Sequence, residues 1–197
     1  MKSICVFCGS SLGFKPSYRQ AAIELGHLFA TRKTELIYGG ANVGLMKVLA
    51  DSVLENGGKV IGVMPHQMIH NEIAHNGIHK MHAVSTMAER KLMMVTLSDA
   101  FIALPGGYGT LDEMSEILTY NQLRISDKPI GLLNVDGYYD DLLRFFDHGV
   151  SEGFIRDEHR NNLIVSENSY QLLDQLAAYS PVSTGKWIED IKHESSK

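Results

Sequence analysis

Between residues 103 and 114 the chain reads ALPGGYGTLDEM. Gly106, Gly107 and Gly109 leave the backbone bare, Tyr108 interrupts them, Thr110 adds a hydroxyl, and Asp112 and Glu113 add two carboxylates. Bare backbone lets N–H groups approach an anion closely, and a helix that follows presents partial positive charge at its start. That combination suits a phosphate. A carboxylate beside it would face the sugar of a bound nucleotide. There it could stabilise an oxocarbenium-like centre or activate water, as glycosidase carboxylates do. Thr110 and Glu113 also have the spacing of a capping box, in which Glu113 merely closes its own helix. Asp112 and Glu113 would favour a helix N-terminus electrostatically. Spacing alone leaves the two readings level.

A second stretch, STMAERKLMM at 85–94, places Arg90 and Lys91 side by side. On a helix, neighbours point about 100° apart, so only one of the two can face a given site. An arginine can hold phosphate or carboxylate through two parallel hydrogen bonds, whereas the bland alternative is a solvated basic pair. Residues 65–82 carry five histidines. His66 with His70, and His75 with His79, have the i, i+4 spacing of helical zinc ligands. The Asn, Gly and Pro around them argue against a long helix, so solvated loop histidines and no metal are expected. Cys5 and Cys8 form a C-x-x-C spacing inside a strand rather than at a helix start, which points to structural thiols on opposite faces.

Two more glycine loops resemble the first in placement: CGSSLG at 8–13 and YGGANVGLM at 38–46. A P-loop needs Gly-Lys-Ser/Thr after its glycine run, but Leu45 and Met46 follow Gly44. No G-x-G-x-x-G follows the first strand, so the dinucleotide fingerprint is missing as well. A mononucleotide or sugar phosphate fits better.

These residues need elements to hold them. Short β-branched runs predict strands at 3–8, 35–38, 59–63, 78–84, 99–104, 127–135 and 162–165. Helical periodicity predicts helices at 16–31, 43–55, 85–97, 110–123, 138–150 and 168–178, with an irregular stretch from 65 to 77. Thr86 and Glu89 are spaced as a capping box. Strand and helix alternate through short connections. That predicts an α/β fold: one doubly wound, mostly parallel sheet with helices on both faces, in a single domain over 1–180 with a polar tail at 181–197. In such a sheet all three glycine loops share the carboxyl edge, where ligands bind.

Composition narrows the class. The chain has 197 residues, 44% hydrophobic and 21% charged, with a formal net charge of -5 and no block of like charge. Nucleic acid is therefore a poor partner. No apolar run approaches a membrane span, and the N-terminus reads as a strand rather than a secretory signal, so a cytoplasmic protein is expected.

Taken together, PGGYGTLDE, MAERK, CVFCGSS, YGGANVGLM, VIGVMPHQM, EIAH, KPIGLLNVDGYYDDLL and EGFI resemble the LONELY GUY family of cytokinin riboside 5'-monophosphate phosphoribohydrolases, often mislabelled lysine decarboxylases. The resemblance implies a Rossmann-like fold. It implies hydrolysis of the N-glycosidic bond of AMP or N6-substituted AMP, giving free base and ribose 5-phosphate without a cofactor. It implies Arg90 and Glu113 as catalytic residues, and phosphate and ribose contacts at Gly106, Gly107, Tyr108, Gly109 and Thr110. It implies further substrate contacts at Glu72, Lys91 and Thr119, and at least a homodimer with the base pocket near the interface. Two positions depart from the family pattern: Lys47, expected at the mouth of the pocket, and Asp112 in place of a common glutamate. The resemblance leaves a nucleotide-binding module without chemistry as the rival, and gives a pyridoxal-phosphate lysine decarboxylase little support.

Overall fold

The computed structural model describes residues 1–70 and 73–181. The strands are β1 (Ser3–Phe7), β2 (Glu35–Tyr38), β3 (Val60–Pro65), β4 (Lys80–Val84), β5 (Ala100–Ala103), β6 (Ile130–Leu133) and β7 (Leu163–Ser166). The helices are α1 (Pro16–Thr31), α2 (Gly44–Glu55), α3 (His66–His70), α4 (Met87–Leu97), α5 (Tyr108–Gln122), α6 (Asp140–Ser151), α7 (Asp157–Arg160) and α8 (Ser169–Ala177). The strands form one seven-stranded sheet in the order β4-β3-β2-β1-β5-β6-β7, and every ladder in it is parallel.

The inner strands are buried on both faces, which is why they read as unbroken apolar runs and not as alternating ones. On one face Ile4, Val6, Leu36 and Ile102 pack against Leu25 and Phe29 of α1, Leu49 of α2 and Leu176 of α8. On the other, Phe7, Ile37, Val63 and Phe101 pack against Met94 of α4 and Met114 and Ile117 of α5, with Leu143 and Phe146 of α6 alongside. Cys5 belongs to the second cluster and Cys8 to the first, both as free buried thiols. Their opposite faces follow from the strand's period of two.

The strand order reverses between β1 and β5, so the loops after these two strands splay to opposite sides and leave a crevice. The glycine loops close around it through main chain. The Gly9 N–H donates to the Pro105 carbonyl at 3.0 Å, and the Leu45 N–H donates to the Gly9 carbonyl at 3.0 Å. Gly44 lies at φ +55°, where a Cβ would sit 2.2 Å from the Ser10 carbonyl carbon.

Most elements fall within two or three residues of the sequence expectation, and the differences that bear on the site are these. Residues 66–70 and 157–160 form short helices; four or five residues are too few to show a period. β4 begins at Lys80 rather than Ile78. α5 begins at Tyr108, two residues before Thr110. The tail from 182 onward lies outside the described residues.

Gly44→Ala combines left-handed strain, roughly 1–2 kcal/mol, with overpacking against main chain, roughly 1–3 kcal/mol. Gly57→Ala is the control: its φ is +76°, with nothing within 4 Å of the added carbon. Chemical denaturation should show Gly44→Ala losing clearly more stability than Gly57→Ala. Equal losses would mean that the close approach to Ser10 contributes nothing.

Candidate active site

Arg90 is the fourth residue of α4. The Glu89 N–H donates to Thr86 Oγ1 at 3.1 Å, while the Glu89 carboxylate accepts from the Ser85 N–H at 2.8 Å. The expected cap is present, shifted by one residue on its return bond. It fixes the first turn, and with it the direction of Arg90. That side chain crosses toward the end of β3, where Nε donates to the Val63 carbonyl at 3.1 Å and Nη1 donates to Glu113 Oε1 at 2.7 Å. Both side chains of this pair are only 11% exposed.

Lys91, one residue on, turns to the flank of α5 and pairs with Asp112 at 3.2 Å and Glu116 at 3.4 Å. The 100° between neighbours on a helix thus separates a guanidinium aimed at the crevice from an ammonium that ties α4 to α5.

The capping-box reading of Glu113 fails. α5 starts at Tyr108 after the N-cap Gly107, which makes no side-chain cap, and no acidic residue lies in the first turn. Asp112 and Glu113 therefore stand in the second turn, too far along to serve the helix end. Burial pushes the Glu113 carboxyl above its ordinary range. The Arg90 charge and hydrogen bond oppose that, Asp112 adds to it, and Lys91 opposes it weakly.

Glu113 and Arg90 line a cavity of about 200 Å³ together with Cys8, Gly9, Ser10, Met46 and the start of α5 from Gly107 to Thr110. The N–H groups of Tyr108, Gly109 and Thr110 open the helix and so lack intrahelical acceptors; the first such bond runs from Leu111 to Gly107. No Cβ would meet anything within 4 Å at Gly107 or Gly109, so both face open space. Gly106 differs: a Cβ there would stand 2.1 Å from Thr110 Oγ1 and 2.9 Å from the Gly9 nitrogen. A second cavity of about 260 Å³, lined by Ser11, Tyr18, Gly106 and Tyr138, adjoins the first along Gly9, Ser10 and Gly107.

Of the residues singled out in the sequence, Arg90, Gly107, Tyr108, Gly109, Thr110 and Glu113 converge on this cavity. Gly106 lines the adjoining cavity and packs against Thr110 and Gly9. Lys91 lies beside it, tied to α5. Thr119 faces a separate groove between α5, α6 and α7. Glu72 lies outside the described residues.

Lys47 does not reach the cavity mouth; its ammonium pairs with Asp51 at 2.6 Å, one turn along α2. His75 is buried rather than solvated. Its Nδ1 accepts from the Gly77 N–H, which leaves Nε2 to donate to Asp51 Oδ1 at 3.0 Å. Among the described residues no group of three His, Cys, Asp or Glu side chains is arranged to hold a metal. Ser10 and Met46 in the cavity wall were not singled out; each lies in a glycine loop already marked, but neither residue type signals a ligand by itself.

A family model described as possible lysine decarboxylase matches residues 46–176. The chain is 49% identical over 180 residues to the Arabidopsis thaliana cytokinin riboside 5'-monophosphate phosphoribohydrolase LOG7, covering 91% of this chain and 83% of that protein. It is 48% identical over 191 residues to the probable cytokinin riboside 5'-monophosphate phosphoribohydrolase LOGL2 of Oryza sativa subsp. japonica, covering 94% and 78%. Among solved structures it resembles a molybdenum cofactor binding protein from Rippkaea orientalis, with TM-score 0.69 and 24% identity over 90% of this chain and 97% of that one. It also resembles the molybdenum cofactor carrier protein of Chlamydomonas reinhardtii, with TM-score 0.68 and 21% identity over 90% and 99%. These two likenesses establish the shared fold.

The balance at Glu113 can be read directly by carbon-detected NMR titration of its carboxyl. Its midpoint should lie above the ordinary carboxylate range, fall in Asp112→Asn, and rise in Lys91→Met. A midpoint at or below that range would show that Arg90, and not burial, governs the group.

Proposed function

The chain belongs to the family of cytokinin riboside 5'-monophosphate phosphoribohydrolases, and from that premise we propose how its cavity carries out the reaction. The protein hydrolyses the N-glycosidic bond of AMP or N6-substituted AMP. The bond from the anomeric carbon to the base nitrogen breaks, water supplies the oxygen to the sugar and a proton to the base, and ribose 5-phosphate is released. The observation that carries the assignment of roles is the Arg90–Glu113 pair, 2.7 Å apart and lining the same cavity as the bare start of α5.

The N–H groups of Tyr108, Gly109 and Thr110, with the Thr110 hydroxyl, bind the 5'-phosphate. The helix start adds its partial charge, and Gly107 and Gly109 let the anion come close. With the phosphate held there, the ribose lies over the pair and Glu113 faces the anomeric carbon. As a carboxylate it stabilises positive charge that develops on the sugar and accepts a proton from the attacking water. Arg90 holds Glu113 in place and favours its ionised form against the burial that raises it.

The family model's description as a possible lysine decarboxylase finds no counterpart here. A Schiff-base mechanism needs a lysine in the cavity, and no lysine lines it among the described residues. Lys91 is engaged by Asp112 and Glu116.

At about 200 Å³ the cavity is smaller than the roughly 300 Å³ at the low end of small-molecule sites. It suits a ribose phosphate, and the base projects beyond it. We take a second copy of the chain to complete the base pocket, with Thr119 at its border and Glu72 among its substrate contacts as the resemblance implies. Thr119 stands six residues beyond Glu113 on α5, roughly 9 Å along the helix axis, too far to serve the same cavity in one chain.

Chromatography of products from AMP, N6-isopentenyl-AMP and their nucleosides tests the reading. Both monophosphates should yield free base and ribose 5-phosphate. The nucleosides should react at least about a hundredfold more slowly, since they forgo the contacts to the start of α5. Equal rates on adenosine and AMP would overturn the phosphate assignment. No step in this reaction calls on a metal, so turnover should survive EDTA. Loss in EDTA that one added metal restores would contradict that.

A further inference from the structure

Three nitrogens make up the Arg90 guanidinium, and two of them are held by hydrogen bonds, Nε to the Val63 carbonyl and Nη1 to Glu113. The third, Nη2, lies against Gly39, the residue that follows β2. A Cβ built on Gly39 would stand 2.2 Å from Nη2 and 3.4 Å from Cζ, so the space a side chain would fill is already occupied by Arg90.

Gly39 and Gly40 are glycines for different reasons. Gly40 lies at φ +80°, a conformation that other residues adopt at a cost. Gly39 lies outside the left-handed region, so alanine would sit there without backbone strain. The other contact of the added carbon is Met46 Sδ at 3.2 Å, on a flexible thioether that can move aside. What forbids a side chain at 39 is the guanidinium, and that guanidinium is held at both its other nitrogens.

We propose that Gly39 is a positioning residue for the reaction: its missing side chain is the socket that seats Arg90 where it reaches Glu113. This rests on the reading of Arg90 and Glu113 as the catalytic pair. It adds a requirement on β2, an element that contributes no reacting group. Alanine at 39 pushes the guanidinium toward the cavity and off its line to Glu113. Misplacement of a catalytic group by about 1 Å can cost on the order of a hundredfold in rate. The phosphate contacts belong to the start of α5 and stay as they are, so the loss falls on kcat and leaves KM little changed. Arg90 opposes the upward push of burial on Glu113. With Arg90 displaced the carboxyl rises further, and the acid limb of kcat moves to higher pH.

The test is a double-mutant cycle of G39A with R90K, read as kcat, KM, the pH profile and the melting temperature. Lysine has no Nη2, so the added methyl has nothing to strike in that background. G39A alone should lower kcat by about ten- to a hundredfold, with KM little changed and the acid limb moved to higher pH. G39A with R90K should be no slower than R90K alone. An unchanged kcat in G39A would overturn the proposal, and so would an equal loss in both backgrounds, which would place the effect in the fold and not in Arg90. If the alanine unsettles folding, the melting temperatures carry the same cycle. A loss that R90K relieves puts the clash at Arg90, and one that it does not relieve overturns the proposal. A fully active R90K would instead overturn the catalytic reading beneath it.

Discussion

Arg90 and Glu113 are opposite charges held almost out of water, and the structure around them is arranged to keep them so. Taking such a pair from water costs several kcal/mol per ion, and mutual attraction repays that only with good geometry and further hydrogen bonds. Here burial outweighs the attraction at Glu113, whose carboxyl is pushed upward even with Arg90 at 2.7 Å. On the proposed reading the pair supplies a carboxylate that is poorly solvated, fixed in direction and open to a cavity, which is the condition under which a charged group acts most strongly on a developing cation.

The sheet order supplies the place. α4 leaves β4 at one edge and packs across β3, β2 and β1 before the chain enters β5, so Arg90 meets α5 on the face of the sheet that the two helices share. The Thr86 cap sets where α4 begins, and Lys91 holds it to α5 through Asp112 and Glu116. The glycines divide between two tasks. Gly44 and Gly106 allow loops to pack on one another, while Gly107 and Gly109 leave the helix start uncovered. A chain that had glycine only for ligand contact would not hold its three loops together. One that had it only for packing would have no open edge for a phosphate.

Much of this was readable in the residues. The alternation of strand and helix carried the parallel sheet and the common edge of the glycine loops, and the strand's period of two put Cys5 and Cys8 on opposite faces. The spacing of Arg90 and Lys91 announced that one of them would turn away. Three kinds of feature escaped, each for a physical reason. The start of α5 at Tyr108 was hidden because Gly107 serves as N-cap without a side chain, so the Thr110–Glu113 spacing imitated a cap that does not form. The burial of His75 depends on Asp51, a residue 24 positions earlier on α2, and no local pattern reports such a contact. Asp51 also explains Lys47, which the departure from the family pattern placed at the pocket mouth but which Asp51 holds on its own helix.

The most direct test of the central claim is turnover per folded molecule in Glu113→Gln, measured with its melting temperature. Glutamine keeps the length of the side chain and an oxygen to accept from Arg90 Nη1. It leaves the Arg90 charge buried without its counter-charge, so the protein should fold but melt earlier than the parent, which is why turnover is read per folded molecule. Loss of a carboxylate that stabilises charge and accepts the proton from water should lower turnover at least about a hundredfold. An early-melting Glu113→Gln protein that keeps most of its turnover would mean that the pair is a structural tie between α4 and α5 and that the chemistry belongs to another residue.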